Sequence, residues 1–156
     1  GSFADEEENL RIAKSLRRAV RPGAGVLLSV MNMELTEHNA IYRADVANDL
    51  DALARLKPNH IMQESGNIFD PEYYLIDAAE GIVYRKEQFH QDGKLNAEHI
   101  IRDRRYSEST LSELCARAGI CSVWTRYVQA GQWEKGLEGT DDRAKEVLLF
   151  GRKELL

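Results

Sequence analysis

The sequence predicts an α/β domain, and three observations carry the prediction. An acidic, amphipathic segment breaks at Arg21-Pro22-Gly23 and runs at once into the apolar stretch Gly25-Val26-Leu27-Leu28-Ser29-Val30-Met31-Asn32. The same order recurs when a second helical pattern, Ser107 to Ala118, stops at Gly119 and leads into Cys121 to Val128. Between the two lie three β-patterned runs separated by turn residues. Helices that feed strands, with an antiparallel group between them, make a layered α/β architecture.

The elements follow in chain order. Asp5 can cap the first helix, with Glu8 placed to reach back to the cap amide, and Leu10, Ala13, Leu16 and Val20 keep one apolar face. Pro22-Gly23 stops it. The charge-free run 25–32 reads as a strand buried on both faces, as in a parallel sheet. A helix feeding such a strand is half of a crossover unit, so another strand is expected before residue 1, and the chain reads as beginning partway through a domain. Met33 to Asn39 reads as a loop or first turn. Residues 42–56 form a helix with Val46, Leu50, Leu53 and Ala54 on one face, ended by Lys57-Pro58-Asn59. Tyr73 to Ile76, Ile82 to His90 and Lys94 to Tyr106 read as successive strands, the last two joined by a hairpin-type Asp92-Gly93. Ile82, Tyr84 and Lys86 alternate with Val83, Arg85 and Glu87, so this sheet should have one wet face. Ser107 to Ala118 is a helix with Gly119 as its stop, and Cys121 to Val128 a strand. Residues 131–143 are a polar, glycine-punctuated connection, and Val147 to Phe150 make the last strand. The order is α-β-α-βββ-α-β-β, closing on an antiparallel pair, with no internal repeat.

Length and composition set the class. The 156 residues amount to a single domain, 1–156, and 43% hydrophobic with 30% charged residues is ordinary for a globular chain. A net charge of −5 argues against nucleic acid or a membrane surface as partner. The basic run Arg102, Arg104, Arg105 is interrupted by Asp103; it is a solvated strand edge or a phosphate site. There is no signal peptide and no apolar run of transmembrane length. Cys115 and Cys121 suggest no disulfide framework, which points to the cytoplasm, and both read as small hydrophobes. Residues 1–2 read as a cloning remnant, unless Ser2 is native.

The series Ser2-Phe3, Asp5 to Leu10, Val20-Arg21-Pro22-Gly23-Ala24 before the strand, Asn32 at its end, Arg104-Arg105-Tyr106-Ser107, Ala118-Gly119-Ile120 and the closing Gly151-Arg152-Lys153 resembles the second half of a class I S-adenosylmethionine-dependent methyltransferase. Ala24 and Ile120 depart from the family's glycine and phenylalanine. The resemblance implies the C-terminal half of a Rossmann-like sheet, with residues 68–106 as an antiparallel insertion covering the substrate. It implies methyl transfer from S-adenosylmethionine to a small-molecule nucleophile in the intact enzyme. The family holds that cofactor on a Gly-x-Gly-x-Gly turn after its first strand and an acidic residue after its second. Neither is here: Gly23-x-Gly25 precedes a strand instead of following one. The chain alone is therefore expected to lack most of the cofactor pocket and to be inactive, its partner being a second copy or the missing N-terminal half. The alternative is no enzyme at all: an α/β binding or dimerisation module with an open sheet edge.

Ligands of open α/β sheets bind beyond the carboxyl ends of the strands, which singles out Asn32, able to orient a substrate polar group or else to cap the strand or the next helix. Arg104 could clamp an anion and Tyr106 could polarise a nucleophile; alternatively Arg104 pairs with a sheet carboxylate and Tyr106 packs under a helix. Tyr74 and Tyr84 are weaker candidates. Phe3 is assigned by the resemblance alone, as a wall of the substrate pocket. His38, His60, His90 and His99 show no metal-binding spacing; His90 and His99 flank a hairpin and could meet across it. Trp124 and Trp133 read as core and loop anchors. No catalytic residue and no metal ligand is assigned.

Overall fold

A computed structural model describes residues 2–49, 51–60 and 67–154. In chain order it contains α1 (Glu6–Ala19), β1 (Gly25–Met31), α2 (Met33–Asn39), β2 (Arg43–Ala44), α3 (Asp51–Ala54), β3 (Pro58–His60), two short 3-10 turns, β4 (Tyr74–Asp77), β5 (Val83–Gln91), β6 (Lys94–Asp103), α4 (Glu108–Arg117), β7 (Ile120–Gln129), β8 (Gln132–Leu137) and β9 (Glu146–Lys153). The chain divides into two compact units, Gly1–Leu35 with Arg105–Leu156, and Thr36–Arg104.

In the first unit the sheet order is β1-β9-β7-β8. Both β1 and β7 run antiparallel to β9, so they are parallel to each other with one reversed strand between them. Gly151 allows that close fit: a Cβ there would lie 2.9 Å from the Cys121 carbonyl oxygen and 2.7 Å from Ile120 Cγ2. α1 and α4 contribute Leu10, Ala13, Leu111, Leu114 and Cys115 to one core, where they meet Val26, Ile120, Val147 and Leu149. Asp5 caps α1 through the amide of Glu7 at 2.9 Å. Glu8 does not close the capping box expected of it; it pairs instead with Arg11 at 2.5 Å. Three glutamates in the first turn and two arginines in the last complement the helix dipole.

β1 is not buried on both faces. Its burial alternates, Val26 being buried and Leu27 48% exposed. A charge-free run looks the same in sequence whether one face packs or both, and here the helices cover only one. The stretch read as a loop, 33–39, is α2. The helix anticipated over 42–56 is instead β2, a turn and the four-residue α3, with Val46 and Ala52 buried as single contacts; Leu50 lies outside the described residues. The polar connection 131–143 contains β8, an edge strand with mostly exposed side chains, so it lacks the apolar alternation that marks a strand in sequence. Pro58 opens β3, where no ladder amide is needed, and does not merely end a helix.

In the second unit β6 takes one edge of β5, while β4 and β3 share the other end to end, antiparallel and parallel respectively. β2 joins β4 in parallel. The Asp92-Gly93 hairpin is as the sequence indicates, with positive φ at both residues. The expected wet face is dry over the first half of β5. Arg85 is buried between Glu87 at 2.5 Å and Asp103 at 3.2 Å, so these polar residues satisfy one another away from water.

Candidate functional site

Strand-end geometry directs attention to the carboxyl end of β1. Asn32 is 0% exposed. Its amide donates to the carbonyl oxygens of Gly139 and Ala144, both at 2.7 Å, and its Oδ1 accepts from Leu35 N at 3.3 Å, which caps α2. Tyr106 forms a parallel bridge with it: Tyr106 N donates to Met31 O at 3.0 Å and Met33 N donates to Tyr106 O at 2.9 Å. That bridge takes the edge of β1 opposite β9, so Asn32 and Tyr106 are brought together by backbone and not by their polar side-chain groups. Tyr106 is itself buried.

Above them sits an arrangement that the sequence did not reveal. Tyr127 of β7 accepts a hydrogen bond on its hydroxyl from the Glu108 amide at 3.1 Å, at the first residue of α4. The same hydroxyl bonds the carboxylate of Glu34, in the first turn of α2, and burial together with that carboxylate pushes it well above the ordinary phenol range. Gly139 makes room: a Cβ there would overlap Glu34 Oε2 and come within 2.8 Å of Tyr127 Cε2. The result is an exposed carboxylate held at the strand end by a buried tyrosine that is itself held by a helix N-terminus. Such a group can bind a cation or accept a proton from one. Glu34 was not assigned to the site because its segment read as a loop or first turn and its helical spacing to His38 made no metal pattern, and Tyr127 because nothing local distinguishes it from strand packing.

The four anticipated residues are therefore spread out. Phe3 is 55% exposed, its backbone clasped by Asn9, which accepts from Phe3 N at 2.9 Å and donates to Phe3 O at 2.7 Å. Beside it a cavity of about 210 Å³ is lined by Ser2, Asn9, Ile12, Leu28, Val30 and Tyr106, among others. Arg104 is half-buried and belongs to the second unit. Tyr74 is buried and donates to Thr36 O at 2.7 Å, a packing role. Trp124 is no core anchor: half-exposed, it stacks on Phe150 and lies 4.2 Å under the Arg126 guanidinium. Trp133 lies on β8 and donates to Glu146 at 2.9 Å. His90 meets His60, not His99, which sits edge-on to Phe89.

Two solved structures resemble this one. The CcbJ methyltransferase from Streptomyces caelestis matches 97% of this chain with a TM-score of 0.59 at 10% identity. An S-adenosylmethionine-dependent methyltransferase from Clostridium acetobutylicum ATCC 824 matches the same share with a TM-score of 0.50 at 6% identity. The fold is shared with methyltransferases. The chain spans about half of each, 56% and 53%. By sequence, no known family matches and no curated protein does. Among the described residues no helix is long and apolar enough to cross a membrane.

Among the described residues none supplies the glycine turn on which the resembling family holds S-adenosylmethionine. The glycines with positive φ lie before β1, in two sheet turns, at the end of α4 and before β8. None follows a parallel strand and opens a helix, the setting in which backbone amides cradle a nucleotide.

Proposed function

We propose that this chain is the C-terminal, substrate-side part of an S-adenosylmethionine-dependent methyltransferase that acts on a small-molecule nucleophile. The observation that carries it is the sheet β1-β9-β7, two parallel strands around a reversed one with α1 and α4 on one face, matched over 97% of the chain by two methyltransferases. The edge of β1 away from β9 has no ladder partner among the described residues below the Tyr106 bridge. In this reading the cofactor-binding half pairs there, and the cavity beside Ile12, Leu28 and Val30 receives its side chains. Asn32 acts by fixing the strand end and the 139–144 loop, and Tyr106 and Phe3 line the acceptor pocket. Glu34 joins them as a carboxylate facing the acceptor.

A product extended by whatever reading frame precedes Phe3 in the gene tests this. The longer product should bind S-adenosylmethionine in calorimetry with micromolar affinity, and the present chain should not bind it measurably. A longer product that fails to bind, or equal binding by the present chain, overturns the reading.

A second reading, a non-enzymatic dimerisation module, draws on the exposure of Leu27 (48%) and Ile12 (46%) beside that open edge. It requires a dimer by light scattering that Leu27→Lys dissociates, with no cofactor binding by the longer product.

A further inference from the structure

Outside the strand-end site, the second unit holds two imidazoles side by side, their planes tilted by 58°. His60 ends β3 and His90 lies on β5, and their Nδ1 atoms are 3.3 Å apart with ring centroids at 4.8 Å. The approach is built by the sheet. The parallel ladder fixes His60 opposite Gln88. A bulge between Phe89 and His90 then shifts the register of β5 against β6, the kind of irregularity that re-aims a side chain. Two neutral imidazoles at this distance either share one proton or converge their lone pairs on a third atom.

We propose that His60 and His90 form a two-histidine site for a divalent transition metal, zinc being the best fit. With metal–nitrogen bonds of about 2.0–2.1 Å, a 3.3 Å separation corresponds to an N–metal–N angle of about 107°. That is the tetrahedral angle. A square-planar ion would hold two adjacent nitrogens about 2.9 Å apart for the same bond lengths. Among the described residues no third histidine, cysteine or carboxylate completes the set, and in this proposal water or an outside ligand takes the remaining positions. Binding clips β3 to β5, two strands joined by only three register pairs. The proposal does not depend on the methyltransferase reading.

Calorimetric titration of ZnCl2 into the chain, in a buffer that does not chelate, should reveal one site of micromolar affinity. His60→Gln and His90→Gln should each weaken it at least tenfold, because each removes one of two ligands, while His99→Gln should leave it unchanged. Both lost imidazoles are at the surface, and unchanged circular dichroism would verify that the variants fold. Co2+ in place of Zn2+ should give the intense visible absorption of a tetrahedral site. No binding, binding that survives either substitution, or the weak spectrum of an octahedral ion would return the pair to a plain histidine–histidine hydrogen bond.

Discussion

Asn32 holds the carbonyl of Gly139 at 2.7 Å although 107 residues separate them. With the second bond to Ala144, this one amide ties the end of β1 to the loop that precedes β9. Asn32→Asp should therefore destabilise the protein by about 3–5 kcal/mol, since a buried carboxylate would face two carbonyl oxygens that have lost their donors. Urea denaturation measures it. A change below about 1 kcal/mol would mean that the loop finds other donors.

Gly139→Ala should also destabilise, by about 1–3 kcal/mol, because the new methyl overlaps Glu34 and presses on Tyr127. Glu34 is exposed and can swing away, whereas Tyr127 is buried in the core. Glu34→Ala should thus recover only part of the loss. A double-mutant cycle showing full recovery would place all the strain on the carboxylate.

The two thiols should differ in reactivity, and neither should be fast. Burial pushes Cys115 up to about 11, while Cys121 is exposed and raised chiefly by its 3.2 Å hydrogen bond to Glu154. With iodoacetamide at pH 8, native protein should lose only Cys121, more slowly than a free thiol, and unfolded protein should lose both. Glu154→Gln should accelerate Cys121. Mass spectrometry of the timed products distinguishes these cases, and native alkylation of Cys115 would refute the assignment.

Acid should loosen the 138–145 loop. Arg143 lowers the Asp141 carboxyl to about 2 through a side-chain bond at 2.7 Å and a backbone amide at 2.9 Å. A carboxyl held below its unfolded value of about 3.9 contributes stability above that value and loses it as the pH falls towards 2. The difference in unfolding free energy between wild type and Asp141→Asn should therefore shrink from pH 6 to pH 2. A constant difference would show that the ion pair adds nothing.

Sequence carried the strong local signals. Asp5, Pro22-Gly23, Ser107 and Gly119 delimit α1 and α4, Asp92-Gly93 marks its hairpin, and the closing antiparallel pair was legible from alternation in β7 and the apolar run of β9. What failed has physical causes. α2 is a seven-residue helix whose one local signal is Asn32 as its cap, too short a stretch to show helical periodicity. The apolar residues of 42–56 recur at helical spacing, yet Val46 and Ala52 are buried by separate short elements. Of the candidate site, the position of Asn32 was readable from the strand-end rule, whereas Tyr106 came from the resemblance and its bridge to Asn32 from the fold. The Glu34–Tyr127 pairing required a tertiary contact between α2 and β7 that no spacing encodes.

The reversed strand also dictates an order of assembly. β1 and β7 do not touch as a ladder; each is hydrogen-bonded to β9, which is made after both. During synthesis β1 and β7 therefore leave the ribosome before the strand that joins them, and the edges that meet β9 wait on residues 146–153. Closure then inserts one strand between two waiting edges, a long-range step that pays its loop entropy at once. This unit should fold slowly and late, with its exposed intermediate open to capture by chaperones or by other copies of itself.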